Sequence, residues 1–403
     1  MVVTYEQALS IVQDRIGGAN HMPGVETVSL DRAFCRVLAE DVTAGRDLPP
    51  FHRAIRDGYA VRAADLAALP AVLRCVGEVA AGRSFDGEVR PGQCVSIMTG
   101  APLPEGADAV VMVEHTVSRG GDIEIQRGVQ PWENVVLRGK EASQGARILA
   151  RGRRLQAAEI GLLASVGKAS VAVYRQPLVA ILPTGDEVVP VDQPPQWFQI
   201  RNSNAAALAA QVKSAGGVPL ELGIAPDRKD ILKGMIESGL ESDLLLLSGG
   251  VSMGKFDLVE EVLAELGAEF YFQATAIRPG KPLVFGRVRE VFFFGLPGNP
   301  VSTFVTFELF VRPALALLGG AALEPPAFLR ARLAKPFRQK TGLTMFLPSR
   351  VRMQDRDPIV EPVGWQGSGD LVGVAAANCF LVIRPDQTDL TAGDWVDVMP
   401  KEQ

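Results

Sequence analysis

The sequence is poor in the residues that build disulfide frameworks and transition-metal centres: its 403 residues include four cysteines and three histidines. Cys35, Cys75, Cys94 and Cys379 are scattered among apolar neighbours with no Cys-x-x-Cys pair, which argues against a zinc ribbon and predicts buried free thiols in a reducing compartment. His21, His52 and His115 are equally dispersed, so any metal is expected to be a hard ion held by carboxylates. No leading basic-then-apolar segment and no long uncharged apolar stretch is evident, so a cytoplasmic protein with no membrane span is expected. Charge of one sign is also lacking. The formal net charge is −5, which argues against a protein that coats nucleic acid and leaves room for a local basic pocket. Tandem repeats and low-complexity linkers are absent.

What is present points to a multidomain α/β protein. A chain of 403 residues exceeds what one core usually organises, and 41 glycines with 28 prolines imply many turns. Three apolar runs, each too short for a buried helix, end in glycine-bearing polar loops. They are Leu178-Val-Ala-Ile-Leu-Pro-Thr-Gly-Asp-Glu187, Asp243-Leu-Leu-Leu-Leu-Ser-Gly-Gly-Val-Ser-Met-Gly-Lys-Phe-Asp257 and Val291-Phe-Phe-Phe-Gly-Leu-Pro-Gly-Asn-Pro300. Central parallel strands read this way, and ligands of open parallel sheets sit outside strand carboxyl ends. One shared crevice is therefore expected. Gly249, Gly250 and Gly254 permit positive φ, so that several N–H groups converge on an anion. Asp257 opens a helical pattern, either as its cap or as a carboxylate beside a bound phosphate.

Elsewhere the texture varies by region. Thr4-Tyr5-Glu6-Gln7 forms a capping box before a first helix, and Leu30 to Ala39 suggests a second. Asp57-Gly58 is a turn signal, and from Val61 to Arg138 short apolar stretches between Gly and Pro read as β-rich. Thr99 either serves a ligand oxygen or satisfies its own loop. Gln156 to Val166 reads as a helix, Ser203-Asn204 as a cap for Ala205 to Ala215, and Asp227 as a helix cap or a site carboxylate. Arg278 and Lys281 flank a Pro-Gly turn that holds them stiffly, either for an oxyanion or as solvated charge. Beyond Pro325-Pro326, short alternating strands suggest a small β-barrel.

Six stretches together resemble the MoeA family of molybdopterin molybdenumtransferases, relatives of the gephyrin E domain. They are Pro49-Pro-Phe51 with Asp57-Gly-Tyr-Ala60; Met98-Thr-Gly-Ala-Pro-Leu-Pro-Glu-Gly-Ala-Asp-Ala-Val-Val-Met112; Thr184-Gly-Asp-Glu187; Ser248-Gly-Gly-Val-Ser-Met-Gly254; Arg278-Pro-Gly-Lys-Pro282; and Gly295-Leu-Pro-Gly-Asn-Pro-Val-Ser302. They fall in family order. The resemblance implies a discontinuous N-terminal domain (1–45 and 141–174), a β-rich insertion (46–140), a three-layer α/β/α molybdopterin-binding domain (175–320) and a C-terminal β-barrel (321–403). It also implies a homodimer whose cleft is shared between subunits, with no nucleic-acid or membrane partner; an adenylyltransferase and molybdoenzymes or cofactor carriers are candidate partners.

The implied chemistry is conversion of adenylylated molybdopterin and molybdate to molybdenum cofactor and AMP, assisted by magnesium. Asp57, Thr99, Glu141, Glu187, Asp227, Asp257 and Lys281 would act in catalysis. Thr184, Gly185, Ser248, Gly249, Gly250, Ser252, Gly254, Arg278, Pro297, Gly298, Asn299, Ser302, Arg350 and Ser368 would bind substrate, and Asp186, Glu187, Asp227 and Asp257 would serve magnesium. Ala54 stands where the family has Ser, Arg56 where it has Met, Glu141 for a turn Asp, and Arg201-Asn202 for Tyr-Asp. Arg56 is a candidate ion-pair partner for Asp57. A tungstate-inserting homologue and a non-catalytic pterin-binding scaffold are the alternatives.

Overall fold

The computed structural model describes residues 2–19, 23–250, 258–322, 327–339 and 342–401. Two compact units emerge: Glu40–Arg151 with Ala157–Ala169, and Met1–Ala39 with Gly152–Gln156 and Ser170–Gln403. Helix α1 (Tyr5–Gly17) opens the chain with the expected capping box: the Thr4 hydroxyl accepts from the Gln7 N–H while the Gln7 side chain accepts from the Thr4 N–H. Its buried stripe is Tyr5, Ala8, Val12 and Ile16, the spacing of one helical face. The second helix expected over Leu30 to Ala39 is corrected to a single 3-10 turn, Leu30–Arg32. Cys35 turns to positive φ, and Val37 and Leu38 form β-bridges to Arg154 and Val173, so long-range pairing takes the backbone that a helix would use.

The first unit is β-rich, as the Gly/Pro punctuation implies. Its strands are β1 (Gly58–Val61), β2 (Ala71–Val79), β3 (Gln93–Ile97), β4 (Ala109–Met112), β5 (Thr116–Arg119) and β6 (Asp122–Ile125), in spatial order β4-β1-β3-β2-β6-β5. Side chains alternate between two cores. Ala60, Val95 and Val110 enter one, and Val61, Cys94 and Val111 the other. Helix α2 (Ala157–Ser165) also belongs to this unit. Asp57-Gly58 makes no hairpin turn; Gly58 begins β1 and pairs with both Ile97 and Met112.

The second unit holds the α/β/α layers. Strands β7 (Leu178–Pro183), β8 (Val218–Glu221), β9 (Leu244–Ser248), β10 (Glu269–Phe272), β11 (Val284–Val288) and β12 (Val291–Leu296) lie in the order β8-β7-β9-β12-β11-β10. The first four are mutually parallel, and β11 runs against both its neighbours. The three apolar runs read from the sequence are thus β7, β9 and β12, side by side at the sheet centre. Their alternating side chains build both cores. Val179, Leu244 and Phe292 pack with α1 and with helices α3 (Ser203–Ser214), α6 (Pro300–Thr306) and α7 (Arg312–Leu318); Ala180, Leu245 and Phe293 pack under α4 (Lys229–Gly239) and α5 (Leu258–Glu265). Burying a side chain such as Leu245 or Phe293 contributes about 1.5–3 kcal/mol.

One long apolar stretch, Pro300–Leu318, carries charge at Glu308 and Arg312, so it is not an uncharged run of the kind the sequence lacks. These 19 residues, with mean hydropathy 1.6, are long and apolar enough to cross a membrane by length and composition, and 72% of the stretch is buried in the fold. A π-turn, Phe307–Val311, separates α6 from α7 ahead of Pro313, which lacks the N–H that a regular helix would bond at that position. Glu308 in that turn is satisfied by Gln211 and Arg312.

In the C-terminal part, β13 (Leu329–Leu333), β14 (Thr344–Gln354), β15 (Asp357–Pro362), β16 (Cys379–Ile383) and β17 (Trp395–Pro400) pair in the ring β14-β15-β13-β17-β16-β14, the closed barrel the sequence suggests. Ile277–Arg278 adds a short parallel strand to β14. All four cysteines are free; Cys94 and Cys379 are buried as expected and Cys75 is half-buried. Cys35 is exposed, contrary to expectation, because its positive-φ turn lies at the surface.

Candidate functional site

The polar loops after β7, β9 and β12 converge on one cavity of about 340 Å³. Thr184 and Glu187 enter it from the first loop, Ser248, Gly249 and Gly250 from the second, and Pro297, Gly298 and Asn299 from the third. Gly249 (φ +95°) and Gly250 (φ +63°) adopt conformations that disfavour side chains. A Cβ on Gly249 would sit 2.7 Å from the Thr184 carbonyl oxygen, and one on Gly250 would sit 2.8 Å from the Thr184 hydroxyl. The loops therefore approach as closely as backbone allows.

The expected anion cradle needs one correction. The Gly249 N–H is spent on the Leu296 carbonyl at 3.2 Å, a bond that ties the second loop to β12. The N–H groups of Gly250, Gly298 and Asn299 have no acceptor among the described residues. Thr184 is 4% exposed and its hydroxyl has no hydrogen-bond partner among the described residues. Since a buried unsatisfied hydroxyl costs about 1–3 kcal/mol, this group is suited to a ligand.

Asn204 escaped the sequence reading, which gave Ser203-Asn204 only a capping role. Asn202 is the cap, accepting from the Ala205 N–H at 3.1 Å. Asn204 instead donates to the Ser248 hydroxyl at 2.9 Å and to the Gly298 carbonyl at 2.8 Å, clamping two cavity loops together. Local sequence at the start of a helix contains no sign of this long-range partnership. Arg201 and Asn202 also line the cavity.

A second cavity, about 780 Å³, adjoins the first through Pro282, Pro297 and Asn299. Arg278, Lys281, Ser302 and Ser368 line it, and among the described residues no carboxylate does. The Arg278–Lys281 turn is pinned: Thr275 donates its N–H to the Lys281 carbonyl at 2.9 Å and its hydroxyl to the Gly280 carbonyl at 3.0 Å. The Ser368 carbonyl accepts from the Val301 N–H at 2.9 Å, attaching the barrel loop to α6. Both cations are exposed, as the solvated-charge alternative expects, and neither is paired with a carboxylate among the described residues, which makes the cavity electropositive.

Other expected site residues lie elsewhere. Gly185 and Asp186 line a third cavity of about 580 Å³, which meets the first at Val188 and Asn202, and Asp186 accepts from the Asp227 N–H at 3.1 Å. Asp227 is not a helix cap, since Arg228 occupies that position. Among the described residues no group of three or more His, Cys, Asp or Glu could hold a metal, so Asp186, Glu187 and Asp227 do not assemble as a set. The reason is geometric: Asp186 and Glu187, as neighbours on a loop, serve different cavities. Arg350, on β14, donates to the Ala376 carbonyl at 2.7 Å and lines neither of the two adjoining cavities. Ser252, Gly254 and Asp257 lie outside the described residues.

Within the β-rich unit, Asp57 and Thr99 meet. The Thr99 N–H donates to the Asp57 carboxylate at 2.6 Å. That bond, reinforced by the Thr99 hydroxyl, holds the Asp57 carboxyl below the usual carboxylate range. Arg56 forms no ion pair with Asp57 among the described residues. Glu141 is paired with Arg53 at 2.8 Å.

Comparison with known proteins agrees along the chain. Residues 3–167 match the MoeA N-terminal region (domain I and II), 180–317 a probable molybdopterin binding domain, and 330–401 the MoeA C-terminal region (domain IV). The chain is 36% identical over 383 residues to the molybdopterin molybdenumtransferase of Bacillus subtilis (strain 168), covering 93% of this chain and 89% of that protein. The Haemophilus influenzae protein of the same name is 36% identical, with 93% of each chain covered. The crystal structure of the molybdopterin biosynthesis moeA protein from Pyrococcus horikoshii OT3 matches with a TM-score of 0.82 at 31% identity, covering 100% of both chains. On sequence and fold together, the chain belongs to the MoeA family.

Proposed function

We propose that this MoeA family member is a molybdopterin molybdenumtransferase that splits the phosphate anhydride of adenylylated molybdopterin, releases AMP and leaves molybdenum on the pterin dithiolene. One observation carries the reading: a cavity with unspent backbone N–H groups adjoins an electropositive one through Pro297 and Asn299. A phosphate in the first and an oxyanion in the second would be neighbours. The N–H groups of Gly250, Gly298 and Asn299 would donate to phosphate oxygens. Arg278 and Lys281 would neutralise molybdate, and the buried Thr184 hydroxyl would donate to the substrate.

The residues fit magnesium in the sparse manner that ion takes: one or two carboxylates, with phosphate oxygens and water completing the shell. Glu187 is the carboxylate that lines the phosphate cavity among the described residues and would supply that contact. When bound, the ion supplies charge withdrawal from the anhydride. Glu187 would otherwise repel the phosphate, so its carboxylate is productive only with a cation beside it.

The enzyme is further read as a cytoplasmic homodimer, in which Asp57, Thr99 and Glu141 act on the site of the facing subunit. An adenylyltransferase would supply its substrate and molybdoenzymes or cofactor carriers would take its product. Given adenylylated molybdopterin, molybdate and magnesium, purified protein should release AMP and form cofactor that activates an apo-molybdoenzyme. A parallel arm with tungstate reads oxyanion preference. Tight pterin binding without AMP release in any arm would make the chain a scaffold instead.

A further inference from the structure

We propose that the segment Pro190–Arg201 is a recognition arm for the flat heterocycle of the substrate: the Trp197 indole stacks on a fused nitrogen ring while Arg201 pairs with the phosphate beside it. This rests on the substrate class proposed above. Trp197 is 95% exposed, the most exposed large hydrophobic side chain among the described residues. Its ring meets Phe198 edge-on at 5.5 Å, so the outward indole is buttressed on one side and open on the other. Complete burial of an aromatic side chain covers about 150–250 Å², and a partner stacked on the open face of this indole would cover part of that area.

The arm is an ordered structure with its foot in the phosphate cavity. Val188 pairs with Ile200 and Val189 with Arg201 in parallel register, and the Ile200 N–H donates to the Glu187 carbonyl at 2.9 Å. Arg201 donates its Nε to the Val191 carbonyl at 3.0 Å, closing the neck. At the tip, Gln199 and Gln196 bond reciprocally, backbone N–H to carbonyl at 3.0 Å and backbone N–H to side-chain oxygen at 3.1 Å. Val188, Ile200 and Arg201 all line the cavity that Gly250 and Gly298 form. With Nε spent, the two Nη groups of Arg201 have no carboxylate partner among the described residues, and a guanidinium held by one edge presents the other to a phosphate.

The substrate bears two fused heterocycles, a purine and a pterin, and the test separates them. Tryptophan fluorescence of the whole protein is titrated with AMP and, separately, with a pterin monophosphate that carries no nucleotide. At least one probe should quench wild-type emission, and Trp197→Ala should abolish that quench and raise KM for adenylylated molybdopterin about fivefold or more, with kcat little changed. Trp197→Phe should lose the quench and retain KM, since the stacking face survives. Arg201→Ala should weaken both phosphorylated probes. Quenching by neither probe, a quench unchanged in Trp197→Ala, or an unchanged KM in both alanine variants would overturn the arm while AMP release leaves the transferase reading standing. Dissociation of Trp197→Ala into monomers by light scattering would also overturn it, assigning the indole to contact between copies. A wild type that is quenched yet releases no AMP would sink the transferase reading and keep the arm.

Discussion

Replacing Asn204 by Ala removes two hydrogen bonds at once, those to the Ser248 hydroxyl (2.9 Å) and the Gly298 carbonyl (2.8 Å). A neutral hydrogen bond contributes a net 0.5–1.5 kcal/mol, so the pair is worth about 1–3 kcal/mol. Ser248 is 3% exposed and its oxygen would lose its donor in a dry setting, which favours the upper half of that range. At roughly 2–4 °C per kcal/mol for a large domain, the unfolding midpoint of this unit should fall by about 2–12 °C. Helix α3 should survive, because its cap is Asn202. The second and third loops would part, and KM for adenylylated molybdopterin should rise about fivefold or more, a shift of about 1 kcal/mol. Asn204→Asp separates stability from site chemistry. It keeps the size, turns a donor toward the Gly298 carbonyl into an acceptor, and adds negative charge beside the phosphate cavity. Its activity should therefore fall further than that of the alanine variant at a similar melting temperature. Differential scanning calorimetry with AMP-release kinetics checks both. An alanine variant that melts within about 1 °C of wild type with the same KM would refute the clamp.

Thr184→Val removes a buried hydroxyl that has no partner among the described residues, so stability should hold or rise slightly while KM increases about five- to tenfold; a clear loss of stability by denaturant titration would mean that the hydroxyl is already satisfied. Asp57 gives a pH prediction. Its carboxyl is held low by the Thr99 N–H, so its stabilising effect is complete above the ordinary value of about 3.9 and is lost as pH falls through the lower folded value. Asp57→Asn should be less stable than wild type at neutral pH, with the gap closing in acid; a constant gap from neutrality into strong acid would contradict this. Mixing Asp57→Ala with Lys281→Ala subunits tests the shared site. If each active cleft draws on both subunits, a mixed dimer keeps one intact cleft of two, so a randomly reassorted equimolar mixture recovers about a quarter of wild-type activity, and if it does not, none returns.

The α/β sheet was legible because strand cores announce themselves locally. Leu244 to Leu247 is uninterrupted by polar residues, and Gly249 and Gly250 mark where the strand ends. The barrel was legible from alternation and the first helix from its capping box. What escaped depends on partners far along the chain. Nothing near Leu30 to Ala39 tells that Val37 and Leu38 will bridge to Arg154 and Val173. Asn204 reads as a helix-start residue until Ser248 and Gly298 fold against it. Asp186 and Glu187 look like one metal-binding pair, yet adjacent positions on the loop send them to different cavities. Glu308 and Arg312 interrupt the apolar stretch Pro300–Leu318 in the sequence, and it is only in the fold that their mutual ion pair is seen to let both side chains be largely covered.

The most direct measurement is a crystal structure of the protein with AMP and molybdate, the metal located by anomalous scattering. The account predicts phosphate oxygens against the N–H groups of Gly250 and Gly298, and molybdenum in the adjoining cavity beside Arg278 and Lys281. Phosphate or molybdenum bound reproducibly away from these loops would contradict it.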